Sequence, residues 1–503
     1  MERRRNRVGA LLALIGGAVG LGNFLRFPFQ AAKWGGGAFL IPYAVALIVV
    51  GLPLVWMEIA LGRQGSHAGQ SAPRILSSLS GRMGWFIGLL GVYVSMGVGA
   101  YYAYLTGWTL GYAYHGAIGS FDAQDLGFCV AFHKRFLEGE SYLFLGITWL
   151  LLAGVLHRGL HSGVERISLW GMPILFALAI VIAGGVVFLG DTGRCSSCDS
   201  WVGIRYLYMP RWDALTKPAV WLAATGQVFF SVGVGFAMYP VYAASWEGGD
   251  VLQRGALTVA ANTVAEVVLG GLIGIPLVTA FMGIEAVSAR AGFGMGFEVM
   301  PYVLTQWGGR ALVVAWYVLL FLAAFTSLLA MGWVALTWLV DTVGGAHTRW
   351  VWPLILGMAL LGMPPAFGYG QGALDLYDQW VGSIFLVLAA LGYWWIFHRV
   401  NGWEVLERES RWRLGAFWRV SMRWGTPLFL GSLLVGSFFQ PVEGDWVAAF
   451  RELLDSGKWP WSADALPVWI GRSLSKGMWA QLGFLFLLLS GGGLVLLRRS
   501  ERT

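Results

Sequence analysis

The chain has 503 residues, 57% of them hydrophobic and only 12% charged, with a mean hydropathy of +0.65 and 28 tryptophans. Soluble domains carry about 25% charged residues, so the composition excludes a soluble protein and describes a polytopic membrane protein. The formal net charge of +7 is not gathered in a soluble domain, which excludes nucleic acid as a partner, and three cysteines exclude a disulfide framework or a cysteine-based metal cluster.

Arg3, Arg4, Arg5 and Arg7 precede the first apolar run, and glycine and charge interrupt that run before any small-residue cleavage site. It is therefore expected to be retained rather than removed as a signal peptide. Apolar segments fall at roughly 8–30, 37–62, 84–116, 141–157, 166–190, 218–245, 252–283, 309–341, 350–368, 376–398, 425–441 and 478–497. At about 20 residues per crossing, this predicts an all-α polytopic membrane protein of about twelve transmembrane helices. With the N-terminus inside, roughly 20 of the 34 lysines and arginines lie on the inner side, as the positive-inside rule requires. Both termini are then cytoplasmic. The densest inner stretch, His398 to Arg423, reads as a solvated or interfacial amphipathic segment touching anionic lipid, without a catalytic role.

The first segment contains GGAVGLGNFLRFP from Gly16 to Pro28. Four glycines at membrane depth, each costing a helix interior roughly 0.8–1 kcal/mol against alanine, are followed by Asn23 and Arg26. Gly16-x-x-x-Gly20 alone also suits close helix packing. With the polar residues added, a discontinuous helix is expected, whose freed backbone groups need an ion or a polar solute. The sixth segment echoes it: QVFFSVGVGF carries Gly233, Gly235 and Ser231 at the same depth. Breaks five helices apart point to an inverted repeat with the binding site between the halves. The expected organisation is a first five-helix repeat over 1–190, a second over 191–398, and the basic segment with helices 11 and 12 over 399–503.

Further polar groups stand in otherwise apolar segments: Asn262 and Glu266 one turn apart in helix 7, Thr326 and Ser327 in helix 8, and Tyr101 and Tyr102 in helix 3. A single Ser or Thr often bonds its own helix, but this set in both halves offers oxygen ligands for a small hard cation. The seven histidines lie at helix ends or in loops, and no metalloprotease motif or nucleophile–base arrangement is present, so no enzyme activity is expected. Two outer loops stand out. Gly190 to Lys217 holds Cys195 and Cys198, either bonded or free, and glycine-rich Ala286 to Trp307 is expected to fold outside between helices 7 and 8.

AVGLGNFLRFPF, GGGAFLIPY, FFSVGVGF and AAFTS together resemble the neurotransmitter:sodium symporter family, whose bacterial members transport amino acids, and the resemblance runs from about Val8 to Arg498. It implies a LeuT-type fold, five plus five inverted helices with helices 1 and 6 discontinuous, in the plasma membrane of a bacterium. It further implies a sodium-coupled symporter with two sodium sites. The first would use the Asn23 and Asn262 side chains, Ser231, the Ala18 carbonyl and the substrate's own carboxylate. The second would use the carbonyls of Gly16, Val19 and Ala323 with the Thr326 and Ser327 hydroxyls. The substrate carboxylate would meet the Leu21 and Gly22 amides and Tyr102, and its amine the carbonyls of Ala18, Phe230 and Ser231. Val98, Phe230, Phe236, Ser327 and Met331 would enclose the side chain, with Gly233 standing where a leucine-carrying relative has serine.

The resemblance also implies an outer gate of Arg26 and Asp378 bridged by Gln227, and inner unwinding of helix 5 at Gly163 and Pro173. Gly20 stands where monoamine-carrying members have aspartate, which implies an amino-acid substrate. Glu266 stands near Tyr43, Gln227 and Ser231 where chloride-dependent members have serine, which implies that its carboxylate replaces chloride and that no chloride is required. A large apolar or aromatic side chain is expected, and the oligomeric state is left as monomer or dimer. The chain departs from the family at its inner face. The N-terminal tryptophan has no counterpart, Ser245 replaces a tyrosine, and Asp341 lacks an assignable arginine partner. A membrane-embedded sensor of the same fold is the alternative; intact gate residues favour transport.

Overall fold

Glycine and membrane depth decide where this chain stops being helical. The computed structural model describes residues 2–65, 69–246, 248–289 and 292–439, and among these the only strand-like contacts are isolated bridges of Gly36 with Pro210 and Asp191 with Asp199. Helix α1 is broken into α1a (Glu2–Ala18) and α1b (Gly22–Lys33), bent by 45°. Then come α2 (Gly37–Gln64) and α3 (Ala72–Ile118). Next is α4 (Glu140–Leu156), entered through an outer helix, Leu126–Glu138, at a 61° bend. Helix α5 (Leu160–Leu189) closes the first half. The second half holds α6a (Pro218–Val232) and α6b (Met238–Ala244), α7 (Val251–Met282), α8 (Met295–Val343), α9 (His347–Phe367) and α10 (Ala373–Arg399), followed by α11 (Thr426–Phe439).

Among the described residues seven helices are long and apolar enough to cross a membrane, or nine when each bent pair is taken as one span. The divided α6 and the short α11 fall below that length, and the expected twelfth segment, 478–497, lies outside the described residues. Irregularities recur five helices apart, as an inverted repeat requires. Both α1 and α6 are broken. Both α2 and α7 contain a π-helical stretch, Leu47–Gly51 and Val264–Gly270, and so do α5 and α10, at Leu160–Val164 and Gln379–Phe385. Both α3 and α8 bend at a glycine, at Ser80–Gly81 and Gly308–Gly309. Where a folded loop is expected from Ala286 to Trp307, the described residues form a short helix, Ile284–Ala289, and a π-helical turn, Met295–Val299, that opens α8.

Lipid supplies no hydrophobic drive between helices, so close backbone approach and aromatic packing hold the bundle. A Cβ on Gly362 of α9 would lie 2.5 Å from the Ala100 carbonyl of α3, and one on Gly62 of α2 would lie 2.4 Å from the Pro240 carbonyl of α6b. Helix α8 packs most extensively on α3, and α1a lies against α5 and α8. Trp108 and Tyr112 meet Phe297 edge to face, and Tyr317 stacks on Phe297, arrangements their ring quadrupoles favour. Cys195 and Cys198 are bonded to each other.

Candidate functional site

The break in α1 begins with one diverted hydrogen bond. The Gly20 amide, which in an uninterrupted helix would bond the Gly16 carbonyl, donates instead to Asn23 Oδ1 at 2.8 Å. The Asn23 amide bonds the Gly20 carbonyl at 3.2 Å rather than that of Val19. Gly16 and Val19 thus lose their helical donors, and both carbonyls face α8. The break in α6 spans Gly233 to Ala237, with φ of +74° at Gly233, +85° at Gly235 and +60° at Ala237. The left-handed region is open to glycine and strained for alanine. Three side chains hold this break: Glu58 Oε1 accepts from the Gly235 amide at 2.7 Å, Ser95 donates to the Phe236 carbonyl, and Tyr239 donates to the Val232 carbonyl at 2.6 Å. Sequence reasoning missed Glu58 and Ser95. Glu58 had left a signal, since it is the one charged residue in the segment 37–62 and an intramembrane carboxylate is costly without a task.

Around the first break, Asn23, Ser231, Asn262, Glu266, Gln227 and Tyr43 form one buried network. Asn23 Nδ2 donates to Asn262 Oδ1 at 2.8 Å, Asn262 Nδ2 donates to Ser231 Oγ at 2.7 Å, and Ser231 Oγ donates to Glu266 Oε2 at 2.6 Å. Tyr43 Oη donates to the same oxygen at 2.7 Å, and Gln227 donates to Glu266 Oε1. Three donors converge on Glu266, as an ionised carboxylate, an acceptor only, demands. Each donor side chain along this chain of contacts finds an acceptor, while Gln227 Oε1 is buried without a donor among the described residues.

Against α8 carbonyl acceptors outnumber the hydroxyl protons. Ser327 Oγ lies 3.1 Å from the Gly16 carbonyl, 3.0 Å from that of Val19 and 3.2 Å from that of Ala323. One hydroxyl proton serves one of the three. The Thr326 hydroxyl bonds its own helix at Leu322, 2.9 Å away, and lies beside Gly16. Helix α8 runs unbroken through both residues. A cluster of neutral oxygens with more acceptors than donors suits a hard cation of low charge. Among the described residues no group of three or more His, Cys, Asp or Glu is placed to hold a metal.

Between the two clusters lies a cavity of about 40 Å³ lined by Gly17, Ala18, Gly20, Gly22, Asn23, Val98, Tyr102, Phe230, Ser231, Gly233, Phe236, Met238, Ser327 and Met331. The residues expected to enclose a substrate are therefore brought together, with Met238 added. At the mouth of α1b the Leu21 amide donates to Tyr102 Oη at 2.9 Å, so two groups expected to meet a carboxylate meet each other. The N-terminal amides and dipole of α1b favour an anion there. Gly20 has no room for a side chain as packed: its Cβ would lie 2.7 Å from Tyr102 Oη. The cavity has room for about the volume of a water molecule but for no large side chain without movement of its walls.

The model of the sodium:neurotransmitter symporter family matches residues 2–123 and 140–475. The chain belongs to that family. An uncharacterized sodium-dependent transporter of Methanocaldococcus jannaschii is 27% identical over 86% of this chain and 90% of its own length. YhdH, an uncharacterized sodium-dependent transporter of Bacillus subtilis, is 27% identical over 73% and 78%. The sodium-dependent serotonin transporter of Drosophila melanogaster is 27% identical over 87% and 77%. The solved structure of MhsT in complex with L-phenylalanine superposes with a TM-score of 0.75 at 24% identity, over 86% of this chain and 98% of that one. This likeness establishes the LeuT-type fold. Family membership makes the chain a multi-pass membrane transporter that uses sodium and carries a small molecule.

The gate residues of this symporter family member differ from expectation in two places. Gln227 does not bridge Arg26 and Asp378, because the buried Glu266 carboxylate takes its amide. Arg26 lies over the Phe230 ring at 5.0 Å, Asp378 accepts from Tyr101, and no ion pair joins Arg26 to Asp378 among the described residues. Asp341, unassigned from sequence, is held by Arg74 at 2.7 Å and by the Ser71 hydroxyl and amide at 2.7 and 3.1 Å. In α5, Gly163 sits in the π-helical turn and a Cβ there would lie 2.3 Å from the Val155 carbonyl. Pro173 stands inside the helix next to Met172, whose sulfur lies 3.9 Å from the Thr326 hydroxyl.

Proposed function

We propose that the protein is a sodium-coupled symporter that imports a neutral amino acid with a large apolar or aromatic side chain, using two sodium ions and no chloride. The observation that carries this reading is the shared cavity. The diverted bonds of α1 put surplus carbonyls on one side, the Leu21 amide and Tyr102 at its mouth, and a buried carboxylate on the other side.

In this reading Asn23, Asn262, Ser231, the Ala18 carbonyl and the substrate carboxylate hold the first sodium, which requires the Asn23 and Asn262 amides to turn their oxygens inward. Gly16, Val19, Ala323, Thr326 and Ser327 hold the second. The substrate carboxylate replaces Tyr102 as acceptor for the Leu21 amide and joins the first ion shell. Its amine turns to the carbonyls of Ala18, Phe230 and Ser231, so binding of substrate and of that ion reinforce each other. The packed space at Gly20 leaves no place for an aspartate to serve an amine lacking a carboxylate. Glu266 supplies the negative charge near the first ion; a chloride beside it would be strongly repelled in a low-dielectric site.

Arg26 and Asp378 close the outer path once the substrate draws Phe230 inward. Asp341 with Arg74 and Ser71 holds the inner path, and unwinding of α5 between Gly163 and Pro173 opens the second sodium site through Met172. Sodium-dependent binding of tritiated L-tryptophan to the purified protein, challenged with a panel of amino acids and with dopamine, tests this reading. Phenylalanine, leucine and methionine are expected to compete, and glycine, lysine and dopamine to compete weakly. Binding of dopamine alone would overturn it.

A further inference from the structure

The absence of a side chain at Gly233 does not leave an open space. Met238, 4% exposed, stands first in α6b and directs its thioether into the cavity. Its terminal methyl lies 3.0 Å from where a Cβ on Gly233 would stand, and its sulfur 3.4 Å from where a Cβ on Gly17 would stand. The side chain therefore fills the volume left by one glycine from each broken helix. Its aim is fixed from behind. Ala237, in the left-handed region, packs against α3 where Gly91 has no side chain; a Cβ there would lie 3.0 Å from that of Ala237. The root of Met238 is thus held, while its three side-chain torsions remain adjustable.

We propose that Met238 is the size-determining residue of the side-chain subsite. The thioether occupies the subsite when the substrate is small and withdraws when it is large. The inference rests on the reading of the cavity as an amino-acid site and adds a residue to it. The cavity of about 40 Å³ accepts neither an indole nor a phenyl ring as it stands, so a wall must move. Met238 is the wall residue that reaches both glycines, and an unbranched thioether moves at low cost. A residue that fills space for small substrates and yields it to large ones makes the subsite broad rather than selective.

The test is displacement of tritiated L-leucine from the purified full chain in sodium, with L-valine and L-tryptophan as competitors. Met238→Ala removes the filler, so the ratio of the two inhibition constants is expected to shift at least about tenfold toward tryptophan, the discrimination a methylene or more of lost contact provides. Met238→Leu preserves volume but, with a branched side chain of fewer rotatable bonds, stiffens the wall, so it is expected to shift the ratio several-fold toward valine; it carries the test if the alanine variant does not purify as a folded protein. If leucine binds in sodium and both ratios stay within about twofold of wild type, where tenfold is expected, Met238 does not set the size of the subsite. If the wild type binds no amino acid in sodium, the reading of the cavity falls and the inference with it.

Discussion

The two oxygen clusters beside the α1 break are built differently, from side-chain amides, hydroxyls and a carboxyl group around Glu266 and from backbone carbonyls with hydroxyls around Ser327. Around Glu266 every donor has an acceptor, and the network ends on a carboxylate that receives Ser231, Tyr43 and Gln227. Around Ser327 three carbonyls compete for one proton. The first cluster ends on an acidic side chain whose two oxygens are both hydrogen-bonded. The second is neutral and has more carbonyl acceptors than hydroxyl protons, and it borders α8 and, through Met172, α5. A site of the first kind suits coupling to a bound substrate. In the proposed cycle the second site is the one that opens when α5 unwinds.

The largest expected effect separates the two through charge. Glu266→Ser removes the carboxylate and should make transport chloride-dependent. Uptake with chloride replaced by gluconate is expected to fall about 100-fold or more, since losing the partner of a buried charge costs about 3–5 kcal/mol, while wild type is unaffected. A variant that transports equally well without chloride would remove the distinction between the clusters. Next comes the frame they share. Glu58→Ala strips the buried Gly235 amide of its acceptor, a loss of about 1–3 kcal/mol, and should lower uptake roughly tenfold or more. Glu58→Gln keeps an acceptor and should retain most activity; if both variants fall equally, the charge of Glu58 rather than its bond matters.

Thr326→Val addresses the second cluster alone, because Thr326 does not line the cavity. The sodium concentration for half-maximal binding should rise about tenfold, as expected for one lost oxygen contact to a charged group. Tryptophan affinity at saturating sodium should hardly change. A change in tryptophan affinity without one in sodium dependence would contradict the assignment. The smallest effect is at the inner face. Arg74 is 61% exposed in its pair with Asp341, and exposed pairs contribute about 0–1 kcal/mol. Arg74→Ala should therefore shift accessibility of the inner path by no more than about fivefold, read by labelling of an inner-side cysteine.

Both breaks were legible in the sequence, because glycines beside Asn23 and Ser231 at membrane depth have few other uses. The clusters were legible as sets of residues but not as bonds. Gln227 chooses between a gate and a carboxylate, and only the buried position of Glu266 decides it. Asp341 finds Arg74 from 267 positions away, which no local register reveals. Met238 reads as one apolar residue among many until the two glycines it reaches are seen beside it. The helix Leu126–Glu138 was missed because its apolar run, Leu126 to Phe132, is far shorter than the roughly 20 residues a crossing needs.

The central claim is that the cavity couples an amino acid to sodium, with Glu266 in the place of chloride. Uptake of labelled L-tryptophan into proteoliposomes tests it most directly, with an inward sodium gradient, with none, and with chloride replaced by gluconate on both sides. Concentrative uptake that requires the sodium gradient and is unchanged in gluconate is the predicted result. Sodium-dependent binding without accumulation, or uptake that stops in gluconate, would contradict it.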